Sequence, residues 1–416
     1  MPECNYCGSS FDDEGELVDH LVSDHDWEAL SRIDRKRVET HAPTKSPEAG
    51  LGDRLSQYAG SIPGTEQLTR RRAIGLTGGL VTLGGAGVVA DRWVFTESAD
   101  TEQLQGQWEA GSSLPYLAEY PAVTGYEGEL YIFGGADEEN VPQSDAYKYN
   151  PEDDSWAELA PMPVEGQRIT ATRIGSYVFI IDGRTHQHTF GDGSVRIYEI
   201  ENDTWTMGTT RPVTTRDAGQ TTDGERIFTF GGSFGGESTD VAHAYDPDAD
   251  RWEELSSLPF PNRQMSCHYV PSQEHIFMFG GEAPDGPTER DDVIAYDPET
   301  DSYDDSPTNM PEPSQTIPST VHDGLVLFPG GEEPGATTGR RLFRVYDPEA
   351  DAWGELPELI EMVEATDSAV IGNELFVPGG RTYLEPDADL DEEPHTYRYD
   401  DYPVFLDRMQ IYRFEE

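Results

Sequence analysis

A pair of glycines, or what remains of one, recurs behind an apolar run at six places downstream of residue 100. The six places are Gly134-Gly135, Asp182-Gly183, Gly231-Gly232, Gly280-Gly281, Gly330-Gly331 and Gly379-Gly380. Their spacing stays close to about 49 residues. Self-similarity at a period of this size is typical of repeat architectures, in which each unit buries its apolar faces only against its neighbours. The spacing therefore predicts an array of six similar units.

A second marker, an aromatic residue, runs in phase with the glycine pairs. It follows most pairs by roughly 22 residues, at Trp156, Trp205, Trp252, Tyr303 and Trp353. Four of the units carry an acidic turn before it: Tyr149-Asn150-Pro151, Tyr245-Asp246-Pro247, Tyr296-Asp297-Pro298 and Tyr346-Asp347-Pro348. Because proline after Asp or Asn ends a strand and begins a tight reversal, each unit should contain a strand ending at Tyr, a turn and a second strand. The pattern predicts one hairpin in each unit.

The order glycine pair, Tyr, Trp resembles the kelch motif, and the resemblance covers residues 104–416. It implies an all-β fold, a six-bladed β-propeller whose four-stranded blades surround a central channel. Trp108 has the spacing of a final-strand Trp, whereas the chain stops after Ile411-Tyr412-Arg413-Phe414 without reaching another one. We therefore expect the Trp108 strand to complete the last blade. Asp182, in place of a first glycine, puts the usual backbone conformation of the second unit in question.

The composition is strongly acidic. The chain has 81 Asp and Glu against 28 Lys and Arg, a net charge of -53, and only 35% hydrophobic residues. Acid spread over loops and turns indicates adaptation to a very salty medium, where salt screens the repulsion. A single acidic cluster is therefore poor evidence of a metal site. Cys267 is the one cysteine of the propeller, so that domain holds no internal disulfide, and we expect a buried packing residue.

The first 28 residues carry the spacing of a small ββα zinc finger. Cys4 and Cys7 are followed by His20 and His25, with Phe11 and Leu17 between the pairs. Two thiolates and two imidazoles can complete a tetrahedral Zn²⁺ shell, and the two apolar residues supply a minimal core. The pattern is that of C2H2 fingers, and we expect Zn²⁺ bound by these four side chains.

The finger lacks the charges of a DNA reader. The positions with which such fingers contact three successive bases are Asp13, Glu16 and Asp19, and residues 1–31 contain no Lys or Arg. Phosphate neutralisation by basic side chains supplies most of the affinity for nucleic acid. We therefore predict a finger used for protein contact or stability, with no sequence-specific binding of nucleic acid.

A linker at residues 29–69 leads to the only membrane candidate, at residues 70–92. Arg70-Arg71-Arg72 precedes eighteen uncharged residues, 73–90, six of them glycine. This stretch is at the lower limit for a bilayer span, and its flanking charges place the finger in the cytoplasm and the propeller outside the cell membrane. It also resembles a twin-arginine export signal. A retained anchor is the preferred interpretation; cleavage near Ala90 and secretion, or a helix packed in the cytoplasm, are the alternatives.

Three arginines are expected at the mouth of the channel. Arg168, Arg216 and Arg263 stand upstream of successive glycine pairs, with Glu364 in the corresponding place of a later unit. Together they would make a positive spot for ligand carboxylate or sulfate groups, or they would serve the framework of the repeat. An acidic, tyrosine-rich insertion at residues 381–410 interrupts the last unit and could cap the channel or contact a partner.

The leading functional hypothesis is a non-catalytic binding scaffold: a kelch propeller for a protein or glycan, tethered to the membrane, with a cytoplasmic zinc finger. The alternative is a sugar-active enzyme at the channel mouth, because the ring resembles the six-bladed kelch sialic-acid mutarotases and Glu364 with an arginine could transfer protons. A cytoplasmic protein-interaction adaptor is the second alternative.

Overall fold

The structure is a computed structural model that describes the repeat region and little before it. The described residues are His20, Ala99, 101–189, 191–282, 289–331, 340–382, 396–397 and 404–415. The chain divides into two units, Met1–Val89 and Ala90–Glu416. The predicted finger as a whole, the linker and the segment 73–90 lie outside the described residues.

The second unit contains six four-stranded antiparallel sheets, the blades. It begins with a 3-10 helix (Glu102–Leu104) and strand β1 (Gly106–Ala110). Blade 1 contains β2 (Ala122–Tyr126), β3 (Glu129–Phe133), β4 (Ala146–Asn150) and β5 (Ser155–Glu158). Blade 2 contains β6 (Ala171–Ile174), β7 (Tyr177–Ile181), β8 (Val195–Glu199), a 3-10 helix (Ile200–Asn202) and β9 (Thr204–Gly208). Blade 3 contains β10 (Gly219–Thr222), β11 (Ile227–Phe230), a small hairpin of β12 (Ser233–Phe234) and β13 (Glu237–Ser238), β14 (Ala242–Asp246) and β15 (Arg251–Glu254).

The remaining three blades repeat this order. Blade 4 contains β16 (Ser266–Val270), β17 (His275–Phe279), β18 (Val293–Asp297) and β19 (Ser302–Asp304). Blade 5 contains β20 (Thr320–His322), β21 (Leu325–Pro329), β22 (Phe343–Asp347) and β23 (Ala352–Leu356). Blade 6 is built from β24 (Ala369–Ile371), β25 (Glu374–Pro378) and β29 (Met409–Phe414). Between β25 and β29, a three-stranded sheet forms from β26 (Arg381–Thr382), β27 (Thr396–Tyr397) and β28 (Val404–Leu406).

Strand β1 closes the ring by completing blade 6. The strand order of that blade is β1-β29-β25-β24, and Trp108 lies opposite Tyr412 across the β1–β29 pair. The predicted six-bladed propeller, closed by the Trp108 strand, is confirmed. Closure of this kind joins the two ends of the repeat array in one sheet, so that ladder hydrogen bonds hold the ring shut.

The second strand of each blade is buried on both faces. In β3 and β17 the four residues before the glycine pair are all buried, instead of alternating. The reason is that each sheet lies between two neighbouring sheets, so that both of its faces are covered. Phe133 of blade 1, for example, makes edge contacts with Tyr198 and Trp205 of blade 2, with ring centroids 5.4 and 5.5 Å apart. The cores therefore lie between blades.

Each acidic turn ends on an aspartate that joins two blades. In blade 3, Asp250 Oδ1 accepts hydrogen bonds from the Tyr245 hydroxyl and from the backbone N–H of Thr209 in the preceding linker, both at 2.6 Å. Trp252 Nε1 then donates to the carbonyl of the same Thr209 at 2.8 Å. Aspartates at five such turns accept from a tyrosine of their own blade: Asp154, Asp203, Asp250, Asp301 and Asp351. The repeating Tyr–Asp–Trp pattern is thus a joint between neighbouring sheets.

The glycine pairs are needed where linkers cross the blade ends. Gly134 has φ +59°, and a Cβ there would lie 2.4 Å from the carbonyl oxygen of Gly166. Only glycine adopts this conformation at such a close approach without strain. Asp182 nevertheless keeps the left-handed backbone, with φ +64°, so the second unit retains the conformation that its sequence had put in question.

Candidate functional site

Each inner strand is preceded by a linker that lies beside the glycine pair of its own blade. Antiparallel bridges join Glu119 to Ala136, Gln167 to Arg184, Arg216 to Ser233, Arg263 to Glu282 and Glu364 to Arg381. We call the first residue of each pair the bridge position, and the propeller face on which the bridges lie the glycine face. Side chains at the bridge positions therefore surround the mouth of the channel on that face.

Six residues of these linkers, five of them directly after a bridge position, adopt a left-handed backbone and form a ring around the channel. The members are Tyr120, Arg168, Asp217, Gln264, Thr316 and Ala365, with φ between +52° and +60°. Backbone hydrogen bonds join successive members, from Tyr120 N to Ala365 O at 2.6 Å and from Gln264 N to Asp217 O at 2.8 Å. None of the six is glycine, so the conformation is held by the surrounding bonds. We call this set the left-handed ring.

The predicted site residues reach the mouth, but not all at equivalent positions. Arg216, Arg263 and Glu364 occupy bridge positions, as the sequence spacing had indicated. Arg168 lies one residue further along, in the left-handed ring, and Gln167 holds the bridge position of blade 2. The bridge positions Gln167, Arg216 and Arg263 each follow the aromatic residue of the preceding blade by 11 residues. Arg168 follows Trp156 by 12, so matching it to the other arginines by residue type placed it one residue out of register.

Arg168 and Arg216 come together on one carboxylate. Arg168 Nη1 donates to Asp217 Oδ1 at 3.0 Å, and Arg216 Nε lies 3.3 Å from Asp217 Oδ2. The guanidinium of Arg168 also stacks on the Tyr120 ring, 4.0 Å from its centroid, a cation–π contact. Burial lowers the pKa of Arg216, and the charges of Arg168 and Arg263 lower it further although Asp217 opposes them. The three predicted arginines are therefore electrostatic neighbours.

Arg263 forms a bidentate ion pair with Glu282. Its Nη2 and Nε atoms lie 2.6 and 2.9 Å from the two carboxylate oxygens. In the amide orientation that satisfies both of its polar atoms, Gln264 accepts from Arg168 Nη1 at 2.9 Å and donates to Glu282 Oε2 at 2.8 Å. Gln264 therefore connects the Arg168 and Arg263 pairs into one network.

Glu364 lies across the mouth in a second network. Arg381 Nε contacts Glu364 Oε1 at 2.5 Å, and Arg381 Nη1 contacts Glu119 Oε1 at 2.8 Å. Burial raises the pKa of Glu119 even though Arg381 and Arg168 act to lower it. The arginines of the mouth are thus matched by carboxylates, and the rim is a set of alternating charges instead of the expected positive spot.

Below the ring, a polar channel of about 480 Å³ runs between the inner strands. Its walls include Gln220, whose Nε2 donates to Thr172 Oγ1 at 2.6 Å, and His268, whose Nε2 lies 2.7 Å from Ser319 Oγ. Burial lowers the pKa of His268 to about 4. Burial also raises the pKa of Asp367, which accepts from Ser368 N at 2.8 Å, to about 7. At neutral pH the channel therefore presents mostly uncharged hydrogen-bonding groups.

The sequence reasoning missed half of the mouth. Glu282 and Arg381 come directly after the second glycine of their pairs, and Asp217 directly follows Arg216. A search for charged residues at those fixed offsets would have found them. Tyr120 gave no such signal, because its role depends on a left-handed conformation that no local sequence preference announces.

Metal and membrane features are not found within the described ranges. Cys267 is buried there, as expected of a packing residue. No group of three or more His, Cys, Asp or Glu side chains in that part of the chain is arranged to hold a metal ion. Nor does any helix within it have the length and hydropathy needed to cross a membrane.

Comparison with known proteins agrees with this architecture. Residues 121–331 match the profile described as the KLHDC2/KLHL20/DRC7 Kelch-repeats domain. The chain is 24% identical over 187 residues to Kelch-like protein 25 of Xenopus tropicalis, an alignment that covers 44% of this chain and 31% of that protein. It is 26% identical over 207 residues to beta-scruin of Limulus polyphemus, covering 47% of this chain and 22% of that protein. The chain therefore spans less than a third of the length of these relatives.

A solved structure extends the likeness to the whole ring. The structure of YjhT superposes with a TM-score of 0.56 at 13% identity, covering 72% of this chain and 96% of that one. At this level of identity the likeness shows the fold alone.

Proposed function

Because the chain belongs to the kelch-repeat domain family of KLHDC2, KLHL20 and DRC7, we propose that its propeller is a non-catalytic scaffold for a protein ligand. The ligand would bind on the glycine face, at the mouth of the channel. Binding residues are commonly carried by loops that a rigid scaffold positions, and the left-handed ring supplies such a scaffold here. The observation that supports the site is the convergence of Arg168, Arg216 and Arg263 on one rim.

The paired charges of the rim suit a polar peptide of mixed charge. Arg168 and Arg263 keep 22% and 21% of their side chains exposed while they hold carboxylates. A ligand carboxylate can therefore join an existing pair, and a ligand amine can contact Glu282, whose side chain is 16% exposed, without any group being left buried and unpaired. Alternating charges of this kind favour specificity over raw affinity.

The proposal is tested by comparing charge-matched variants of the full chain as immobilised bait. One variant carries Arg168→Met, Arg216→Met and Arg263→Met at the mouth. Proteins from a salt-adjusted extract of the source cells are captured on the variant and on the unaltered chain, and quantified by mass spectrometry. We expect specific partners to be lost from the mouth variant.

The control variant removes three positive charges elsewhere: Arg226→Met, Arg251→Met and Arg413→Met. Arg251 and Arg413 lie in strands β15 and β29, and Arg226 directly precedes β11, all away from the bridge positions. Their side chains are between a third and three quarters exposed. Partners that bind at the mouth remain on this control. Equal capture by the unaltered chain, the mouth variant and the control would reject the mouth as the binding site.

A glycan ligand remains the second form of the scaffold hypothesis, and a glycan array probed with the same three proteins tests it directly. The comparisons do not favour the sugar-active enzyme. Glu364, the carboxylate expected to transfer protons there, is fully buried and bound to Arg381.

We also propose that residues 1–28 form a zinc-stabilised finger. The donor set of Cys4, Cys7, His20 and His25 suits Zn²⁺, which would cross-link a segment too short to have its own core. Zinc there would be structural. Metal analysis of the purified full chain is expected to find one zinc per chain, and loss of zinc from Cys4→Ser, with an unchanged propeller, tests the assignment.

Tethering of the propeller through residues 73–90 is a further proposal, supported by the uncharged stretch and the three arginines before it. We expect the full-length chain in the membrane fraction, with the propeller accessible to protease added outside the cells. A smaller protein in the medium would favour cleavage near Ala90. A full-length protein in the cytoplasmic fraction would instead favour the adaptor that joins partners of the finger and the propeller.

A further inference from the structure

Blade 2 departs from the other blades at two residues that contact each other. Asp182 replaces the first glycine of the pair, and Arg211 replaces an apolar residue of the following linker. The apolar residues at the position of Arg211 are Leu114, Met162, Leu258, Met310 and Leu359, all of them buried. Backbone hydrogen bonds show that the two positions are equivalent. Arg211 N donates to Gly193 O, and Met162 N donates to Ser144 O, both at 2.8 Å. Each acceptor lies just before the third strand of its blade.

The two changes fit each other in space. In blade 1, a Cβ on Gly134 would lie 2.6 Å from Met162 Cε, so the glycine and the apolar side chain pack together. In blade 2 the carboxylate of Asp182 occupies that space and accepts from Gly193 N at 3.0 Å and Thr215 N at 2.5 Å. Arg211 Nη1 lies 3.5 Å from Asp182 Oδ2, at the limit of a hydrogen bond. A buried ion pair has replaced an apolar contact.

Arg211 keeps one edge without a protein partner. Its side chain is fully buried, and its Nη1 donates to Thr215 Oγ1 at 2.5 Å. The Nε and Nη2 atoms find no acceptor among the described residues. These two N–H groups form the edge of the guanidinium group that binds anions in a bidentate manner. Leaving them buried and unbonded is costly, which indicates an acceptor drawn from the solvent.

Blade 3 contributes a buried histidine that feels the charge of Arg211. His243 lies directly opposite Thr229 across the β11–β14 pair, and Thr229 borders the same small cavity as Arg211. His243 is 2% exposed and its Nδ1 atom has no partner among the described side chains and backbone groups. Burial and the charge of Arg211 lower the pKa of His243 to about 3, so its ring stays neutral and can donate one N–H.

The arginines of this region are paired unevenly. Asp217 is shared by Arg168 and Arg216, at 3.0 and 3.3 Å, and Arg196 lies 3.4 Å from Asp192. Arg211, which is as fully buried as Arg196, makes the longest of these ion pairs, at 3.5 Å to Asp182.

The size of the cavity restricts the ligand. It measures about 10 Å³ and is bordered by Arg211, Thr215 and Thr229 as well as by Asp182. That volume holds about one water-sized particle, so sulfate, phosphate and organic acids do not fit. Asp182 contacts Arg211 through Nη1 and accepts from two backbone N–H groups, and it makes no hydrogen bond to the Nε–Nη2 edge.

We propose that the seam between blades 2 and 3 binds one halide ion, chloride under natural conditions, on the Nε–Nη2 edge of Arg211. The ion would complete the hydrogen bonds of that edge. The site would be specific to this seam, because the equivalent positions of the other blades are apolar.

The first test measures thermal unfolding of the full chain in potassium chloride and in potassium gluconate at equal ionic strength. Above the dissociation constant, each tenfold rise in chloride is expected to raise the midpoint by about 2 °C more than the same rise in gluconate. An equal response to both salts would overturn the proposal.

A double variant separates the site from general salt effects. Asp182→Gly with Arg211→Met recreates the glycine–methionine contact that blade 1 already has, so we expect it to fold. It should lose the chloride-specific shift. Arg251→Met, which removes an arginine with 75% of its side chain exposed, should keep it. Retention of the shift by the double variant would place the halide elsewhere and reject the site.

The second test locates the ion. Crystals of the full chain grown with bromide are expected to give a bromine anomalous peak in hydrogen-bond contact with Arg211 Nε and Nη2. A peak at that edge supports the proposal. Density without anomalous signal there, while bromide peaks appear on the surface, would assign a water molecule to the site and overturn it.

Discussion

The pairing of Asp182 with Arg211 allows a quantitative prediction. Both side chains are buried, with 3% and 0% exposed, and their charged atoms lie 3.5 Å apart. Removing one partner of a buried pair leaves an uncompensated charge and costs about 3–5 kcal/mol, whereas replacing both by apolar groups is often neutral. We therefore expect Asp182→Gly and Arg211→Met each to destabilise the propeller, and the double variant to be within about 1 kcal/mol of the unaltered chain.

The two single variants should differ in their response to pH. Burial already raises the pKa of Asp182 to about 6, against the combined effects of Arg211 and two backbone N–H groups. Without Arg211, the buried Asp182 carboxylate can lose its uncompensated charge by taking up a proton. That proton uptake costs about 4 kcal/mol at pH 7 but only about 1.5 kcal/mol at pH 5, for an unfolded pKa near 4. The loss caused by Arg211→Met should therefore shrink as the pH falls, whereas the loss caused by Asp182→Gly should not, because arginine stays charged.

Urea unfolding of the full chain at constant high potassium gluconate without halide, followed by near-ultraviolet circular dichroism, measures all four proteins at pH 5 and pH 7. For a propeller of this length, a loss of 3–5 kcal/mol corresponds to a fall of about 5–8 °C in the thermal midpoint. The exposed ion pair of Arg251 and Asp246 serves as the control, with the same set of two single variants and one double variant. We expect the interaction free energy of this pair to be below about 1 kcal/mol. Additive losses in the double variant, or single losses as small as those of the control, would refute the reasoning.

Three further measurements address other parts of the chain. Asp301→Ala removes the acceptor of the Tyr296 hydroxyl at 2.8 Å and of Ser256 N at 2.9 Å. We expect the free energy of unfolding measured in urea to fall by about 2–3 kcal/mol, and Asp301→Asn should recover more than half of that loss. Equal losses in the two variants would argue against the joint between blades. Asp367 has a pKa raised by burial to about 7, so its ionisation should lower the unfolding free energy by about 3 kcal/mol as the pH rises from about 4 to about 7. Asp367→Asn should flatten that slope, and an unchanged slope would contradict the assignment. Chelation of zinc from the full chain should leave the thermal midpoint of the propeller unchanged while residues 1–28 become sensitive to protease; equal protease resistance with and without chelator would count against a zinc-stabilised finger.

The six-bladed ring could be predicted because the glycine pair and the aromatic residue recur at a constant spacing in most units. Trp108 showed the closure of the ring, since an outer-strand aromatic without a preceding glycine pair can only complete a blade begun elsewhere. The mouth could be predicted only in part. Arg216 and Arg263 follow the aromatic residue of the preceding blade by 11 residues. Arg168 follows its aromatic by 12 and therefore lies in the left-handed ring, whereas Gln167, which carries no charge, holds the bridge position.

The ion pairs of the mouth escaped prediction for a different reason. Asp217 and Glu282 are two of 81 acidic residues in the chain, so an acid close to an arginine in sequence indicates no ion pair by itself. Their fixed offsets from the glycine pairs and from Arg216 were the available signal. The partner of Asp182 was likewise hidden, because Arg211 lies 29 residues away and replaces a residue type that the repeat does not fix to one identity.

The irregularity of blade 2 and the charges of the mouth are connected through one linker. Arg211 begins a segment in which Thr215 is held by both members of the buried pair, at its backbone N–H and at its hydroxyl. Arg216 and Asp217 follow at once, and Asp217 then holds Arg168 of the preceding linker. In the other blades the corresponding linker is held by a buried apolar side chain, which packs against its neighbours but makes no directional hydrogen bond. The buried pair therefore gives the Arg168–Asp217–Arg216 cluster an orientation that an apolar contact would not, and we infer that ligand selectivity at the mouth depends on residues that no ligand touches.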